Sequence, residues 1–189
     1  MRSPITRGRA LVLTAATFVL VSLTGCDTAA TDTIVLGDVR VDFEFEFDGG
    51  SLTVGQPSDV SSNASFNIGP QLSSLGGFTL AEVVSGRLTV ASIELVTPTF
   101  VGSGIDLRAF NEVVLQLRSG STVREVASRR GFTSDEPAAL NVIQNRDVST
   151  ILKAGSFNAV LQVDAAALDA TKDYSLEVVM TLSVEVEGV

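Results

Sequence analysis

The chain contains no histidine, no tryptophan and only one cysteine among its 189 residues. Without histidine it cannot build a Ser-His-Asp or Cys-His catalytic centre, or a zinc site made of histidines. One cysteine can form neither an intramolecular disulfide nor a thiolate metal cluster. The formal net charge of −9 disfavours binding to the phosphate backbone of nucleic acids. We therefore expect no nucleic-acid partner and no cofactor.

The first 25 residues have the layout of an export signal. Three arginines within residues 1–9 precede an uncharged stretch, residues 10–23, which leads into small residues. This stretch is shorter than the roughly 20 apolar residues that a transmembrane helix needs, and it is diluted by threonine and serine. We expect residues 1–25 to be removed as a signal peptide, with a retained membrane span as the alternative.

The residues Leu23, Thr24, Gly25 and Cys26 end this signal and resemble the lipobox of bacterial lipoproteins. The resemblance implies that signal peptidase II recognises Leu23, Thr24 and Gly25, and that Cys26 becomes an N-terminus acylated with diacylglycerol. The alternative is a free or buried thiol placed there by chance. Since each buried methylene contributes about 0.8 kcal/mol, the lipid would hold the protein on a membrane of the bacterial cell envelope. In enteric bacteria an aspartate directly after the acylated cysteine, as Asp27 is here, keeps a lipoprotein on the inner membrane. Many other lineages do not use this rule, so the sequence does not decide between the membranes.

The mature part divides into a tether and one domain. We interpret residues 26–33 as a tether, because residues 27–33 are small, polar and without pattern, with a reach of about 25 Å. Residues 34–189 have the size of one folded domain.

Alternation of apolar and polar residues dominates this domain. In residues 39–48 every odd position is apolar and every even position is charged, and residues 174–187 show a similar pattern. A strand with one buried face explains this period of two. Shorter candidate strands are residues 52–54, 64–68, 87–96, 112–118, 122–127, 140–143 and 157–163. A change of parity in residues 87–96 predicts a bulge near Ala91 and Ser92.

About eight to nine strands separated by turns predict an all-β fold, an antiparallel β-sandwich with Greek-key-like connections. A closed eight-stranded barrel is the alternative. One or two short helices are expected. The candidates are residues 71–75 and residues 148–154, the latter capped by Asp147 and closed by Gly155. Residues 136–140 are a helix in an alternative interpretation of that stretch.

Carboxylates are the residues that could bind a metal ion. Asp42, Glu44 and Glu46 project from the first long strand, and Glu185 and Glu187 from the last. If these strands pair antiparallel, like charges face each other, and bridging Ca²⁺ could relieve the repulsion. We favour the alternative of a solvated face or a charged edge strand and predict no metal.

The sequence favours a non-catalytic binding or structural module that acts on an unknown envelope protein or ligand. The enzymatic alternative is a carboxylate-based hydrolase. A glycosidase of that kind needs two carboxylates about 5 to 9.5 Å apart, and sugar sites usually add exposed aromatic platforms, whereas Tyr174 lies on the apolar side of its strand. Further alternatives are a carrier or sensor of a small apolar ligand between the sheets, and a Ca²⁺-dependent adhesion or carbohydrate-binding module. Arg129 and Arg130 are interpreted as part of a solvated loop, with docking of an acidic partner as the alternative.

Overall fold

The computed structural model describes residues 32–97, 105–133 and 137–188. The predicted signal peptide and the lipobox residues Leu23, Thr24, Gly25 and Cys26 lie outside these ranges. Within them, nine strands form two antiparallel sheets accompanied by two short α-helices, which confirms the predicted all-β sandwich. None of the helices in the described ranges is long and apolar enough to cross a membrane.

The strands are numbered in chain order. They are β1 Thr33–Asp48, β2 Pro57–Phe66, β3 Val83–Thr97, β4 Phe110–Ser119, β5 Thr122–Arg130, β6 Ala138–Ala139, β7 Asn141–Val142, β8 Phe157–Ala165 and β9 Asp173–Glu187. Helix α1 is Gly69–Gly76 and helix α2 is Ser149–Lys153. Single 3-10 turns are Gly49–Ser51, Leu80–Glu82 and Leu107–Ala109. Sheet A has the strand order β1-β9-β3-β6, and sheet B has the order β2-β8-β4-β5-β7.

Strand β9 is central to sheet A. It pairs with β1 along one side and with β3 along the other, over almost its whole length. Its even-numbered side chains from Tyr174 to Val186 are buried, as the alternation predicts. The inward side chains of β1 meet sheet B, since the ring centroid of Phe43 lies 6.1 Å from that of Phe157. The two sheets therefore share one hydrophobic core.

Large side chains fill the space between the sheets. Among the fully buried ones in the described ranges are Phe45, Ile68, Leu72, Ile93, Leu107, Phe110, Leu115, Leu117, Ile151, Leu152, Phe157 and Tyr174. Each contributes about 1.5 to 3 kcal/mol on burial, so the packed core is the main source of stability.

The segment that contains β6 and β7 closes one side of the sandwich. β6 pairs with β3 of sheet A and β7 pairs with β5 of sheet B, so the chain crosses between the sheets within a few residues. Arg129 supports the crossing, because its Nη1 donates to the carbonyl of Ala139 at 2.7 Å and its guanidinium lies over the ring of Phe132. Arg130 forms an ion pair with Glu112 at 2.7 Å. Both arginines end β5, and their interpretation as loop residues is wrong.

Several local predictions are wrong for identifiable reasons. Residues 52–54 form a turn, because Gly55 takes a positive φ of 75° and Pro57 starts the next strand. Strand β2 begins at Pro57 instead of residue 64, since its polar side chains hide it from a hydrophobic pattern. Ala138–Ala139 is a strand instead of part of a helix. Thr33 belongs to β1 and pairs with Glu187, so the predicted tether loses its last residue to the sheet.

Other local predictions are confirmed. Helix α1 contains the predicted residues 71–75, and α2 lies within residues 148–154 and is followed by Gly155 with a φ of 91°. The register of β3 against β9 shifts between Leu88 and Val90. The predicted bulge therefore exists, but it lies before Ala91 and Ser92, the residues at which the change of alternation placed it.

We expect Gly49→Ala to destabilise the protein. The new methyl group would overlap the backbone carbonyl of Asp169 and lie 2.7 Å from the ring of Tyr174, and a backbone atom cannot rotate away. Such overpacking costs about 1 to 3 kcal/mol. The measurement is the midpoint of urea-induced unfolding of the full chain. Gly37→Ala is the control, because the space around Gly37 is open and the variant should unfold like the wild type. Equal midpoints for the two variants would contradict the expectation.

Candidate functional site

The outer face of sheet A carries the carboxylates that the sequence nominates. The first and last long strands, whose pairing the sequence left open, are antiparallel neighbours, and β1 is the edge strand of sheet A. In this register Glu44 lies directly opposite Glu177, and Glu177 lies opposite Glu94 of β3 on its other side. Three glutamates thus form a row across β1, β9 and β3. The Oγ of Ser175 donates to Glu44 Oε1 at 2.8 Å and provides one of the contacts of this row.

The five nominated carboxylates do not converge on one point. Asp42 lies opposite Val179 and Glu46 opposite Ser175. Glu185 and Glu187 lie at the other end of the sheet, opposite Val35 and Thr33 at the start of β1. Asp42 accepts a hydrogen bond from Nε of Arg40 at 3.0 Å. Glu46 accepts one from the side-chain amide of Asn63 in β2 at 2.8 Å. Within the described ranges, no group of three His, Cys, Asp or Glu residues could hold a metal ion.

A polar groove of about 300 Å³ lies on the same face, at the end of sheet A where β1 begins. We call it the polar groove and define it by Ser85 and Arg87 of β3, Gln144 and Asn145 of the turn before α2, and Ser183 and Glu185 of β9. Leu88 adds an apolar side chain to the lining. Its volume is at the low end of the range of about 300 to 1,000 Å³ that holds small molecules.

Strand register positions one wall of the polar groove. Arg87 lies opposite Ser183, and Ser85 lies opposite Glu185. The Oγ of Ser85 donates to Glu185 Oε2 at 2.6 Å and fixes the carboxylate on the sheet. Arg87 and Glu185 are diagonal neighbours, about 7 to 8 Å apart at their Cα atoms. Neither residue takes part in an ion pair within the described part of the chain.

The turn before α2 forms the other wall. Among the described residues, Asn145 is the one non-glycine residue with a positive φ, at 61°. This left-handed conformation suits asparagine better than most residues. The turn leads the chain to Asp147, which forms an isolated antiparallel bridge with Arg87. The amide of Val148 donates to the carbonyl of Gly86 at 2.8 Å, which fastens the turn to β3. A side chain on Gly86 would clash with Leu152, so the glycine lets α2 approach the strand.

The carboxylate of Asp147 also holds this turn against β3 and the start of α2. It accepts from the amide of Gly86 at 3.1 Å and from the amide and hydroxyl of Ser149 at 3.0 and 2.7 Å. Burial acts to raise the pKa of Asp147, but these hydrogen bonds and the charge of Arg87 outweigh it, so the pKa falls below its ordinary value. Asp147 is therefore ionised at neutral pH and holds the turn in place.

Asp106 is a buried carboxylate on a different part of the molecule. The guanidinium of Arg108 donates to both of its oxygens at 2.6 to 2.9 Å, and the amide of Arg108 donates at 2.8 Å. The hydrogen bonds from the Arg108 side chain are the main cause that lowers the pKa of Asp106, against the effect of burial. The pair begins the 3-10 turn before β4 and has a structural role.

The polar groove is not predicted by the sequence analysis. Of its residues only Glu185 is nominated there, as a possible metal ligand. The others are ordinary polar residues from three separate segments, and no motif or spacing links them. Two signals could have found the groove. One is the parity change in β3, and the other is Asp147, whose prediction as the cap of α2 is wrong by one residue because Val148 takes the cap position.

We expect Asp147→Asn to lower the free energy of unfolding at pH 7 by about 1 kcal/mol, since it removes a partly solvated charge that accepts three hydrogen bonds. The folded-state pKa of Asp147 is lowered, so its contribution is complete above the unfolded-state pKa of about 3.9 and is lost as the pH falls through the folded-state value. Urea unfolding of both proteins at pH 7 and near pH 3 measures this difference. Glu187→Gln is the control, and a difference between wild type and Asp147→Asn that does not shrink in acid would contradict the expectation.

Comparison with known proteins does not assign this chain to a family. No protein-family model, no curated protein and no solved structure matches the chain. The arguments for its function are therefore the lipobox-like segment and the polar groove.

Proposed function

We propose that the protein is an exported bacterial lipoprotein, held at an envelope membrane by lipid on Cys26. The observation that carries this proposal is the position of the one cysteine of the chain, directly after an arginine-led apolar stretch and the residues Leu23, Thr24 and Gly25. A free thiol placed by chance has no reason to stand at this junction. The start of β1 at Thr33 supports the proposal, because only a short segment separates Cys26 from the sheet.

The anchored domain acts as a non-catalytic binding or structural module. The absence of histidine leaves carboxylates as the main acid–base groups. Asp106 and Asp147 are held ionised by their hydrogen-bond partners, and a charged carboxylate cannot donate a proton as a general acid. The outer face of sheet A, with its polar groove, offers hydrogen-bonding groups on rigid strands, which favours recognition of a ligand or partner.

The polar groove lies at the end of sheet A where β1 begins, the first described strand after Cys26. β1 begins at this end, and a segment of residues 27–32 reaches at most about 20 Å. The net negative charge disfavours direct contact with anionic lipid headgroups, so the lipid provides the attachment. A ligand of the groove would then lie in the layer next to the membrane.

The test of the anchor is expression of the full chain in a bacterium beside a Cys26→Ser variant. We expect the wild type to lose residues 1–25, to gain mass that corresponds to acyl chains, and to sediment with membranes. The variant should remain unprocessed or be released, because serine cannot form the thioether to the lipid. Intact-mass spectrometry and membrane fractionation are the measurements.

Ser22→Ala is the matched control, since it changes a neighbouring hydroxyl outside the lipobox and should leave processing unchanged. An unmodified Cys26, with wild type and Cys26→Ser fractionating alike, would overturn the proposed anchor.

A further inference from the structure

We propose that the polar groove binds a neutral saccharide that carries acetamido groups. This inference deepens the proposed binding role and rests on it, but it does not depend on the lipid anchor. The groove is concave, has the volume of a small-molecule site and is lined mainly by polar side chains. An apolar ligand would leave these groups without partners, and unpaired polar groups cost free energy when they lose water.

The charges of the polar groove disfavour an anionic ligand. Arg87 supplies one positive charge and Glu185 one negative charge, and neither forms an ion pair within the described ranges. Asp147, whose carboxylate interacts with the charge of Arg87, adds a further negative charge next to the groove. These three charges sum to −1, so an anionic ligand would be repelled, and a ligand that is recognised through hydrogen bonds needs no charge of its own.

The hydrogen-bonding groups match sugar hydroxyls. The guanidinium of Arg87 offers only donors, while the carboxylate of Glu185 offers only acceptors and keeps Oε1 available beside the bond from Ser85 to Oε2. A sugar hydroxyl both donates and accepts, so neighbouring hydroxyls can bridge a donor and an acceptor that stand a few ångströms apart. Arg87 and Glu185 are held in that relation by adjacent strands.

The turn before α2 favours the acetamido group. The primary amides of Gln144 and Asn145 each pair a donor with an acceptor, as an acetamido group does. Leu88 supplies an apolar contact for the acetamido methyl group.

The lack of an aromatic platform sets the expected strength of binding. The groove lining contains no aromatic side chain, so affinity comes mainly from hydrogen bonds that compete with water. We expect a dissociation constant of about 1 mM for a disaccharide. Binding should be nearly independent of salt concentration, because the ligand carries no charge.

The test is saturation-transfer NMR of the acylated protein in detergent micelles with N,N′-diacetylchitobiose, with maltose, glycine and inorganic phosphate as comparison ligands. We expect a signal for diacetylchitobiose, a weaker one for maltose, and none for glycine or phosphate. Arg87→Gln and Asn145→Gly should each weaken binding about tenfold or more. Glycine keeps the positive φ of residue 145 and removes only its amide side chain, so loss of binding cannot come from an unfolded turn.

Arg40→Gln is the matched control on the same face, outside the groove, and should bind like the wild type. Absence of a diacetylchitobiose signal, equal binding by maltose, binding of glycine or phosphate in its place, or unchanged binding by both groove variants would overturn the inference. The same titration with Cys26→Ser separates the two proposals. A variant that has lost its lipid and still binds the disaccharide supports the groove site, whatever the outcome for the anchor.

Discussion

The structure depends on the pairing of β9 with β1 and β3. The alternating sequence of β9 buries every second side chain from Tyr174 to Val186 in the core, and its backbone bonds to a long strand on each side. Register is strongly specified where one face of a strand is buried, since a slip by one residue would expose the whole apolar set. The positions of all outward side chains of sheet A follow from this constraint.

One consequence is the row of glutamates across sheet A. Glu44, Glu177 and Glu94 lie side by side because the inward residues of the three strands fix the register. Like charges in opposite positions are destabilising by a fraction of a kcal/mol, a cost that is small against the burial of the core. Exposure to water and contacts such as the one from Ser175 make the row tolerable. The long edge strand β1 keeps its charges, which protects it from pairing with other chains.

The second consequence is the polar groove. The same register sets Arg87 beside Ser183 and Glu185 beside Ser85, and the turn with Asn145 and Asp147 covers this end of the strands. Three chain segments therefore contribute to one concave surface. Rigid strands hold two of its sides, and the third is held by hydrogen bonds to Gly86. A site built in this way keeps its geometry without a ligand, which reduces the entropy cost of binding.

The amino-acid sequence by itself determined the elements with strong local signals. Alternation identified β1, β9 and the sandwich class, and the glycine after α2 marked the end of that helix, because these patterns act over a few residues. It also carries the lipobox-like segment, on which the proposed anchor rests. Only the tertiary structure decided that the polar strand β2 pairs with β8, that residues 137–143 cross between the sheets, and that Arg87, Asn145 and Glu185 share a groove. These features arise from pairings between distant segments, which minimise exposed apolar surface over the whole chain and leave no local pattern.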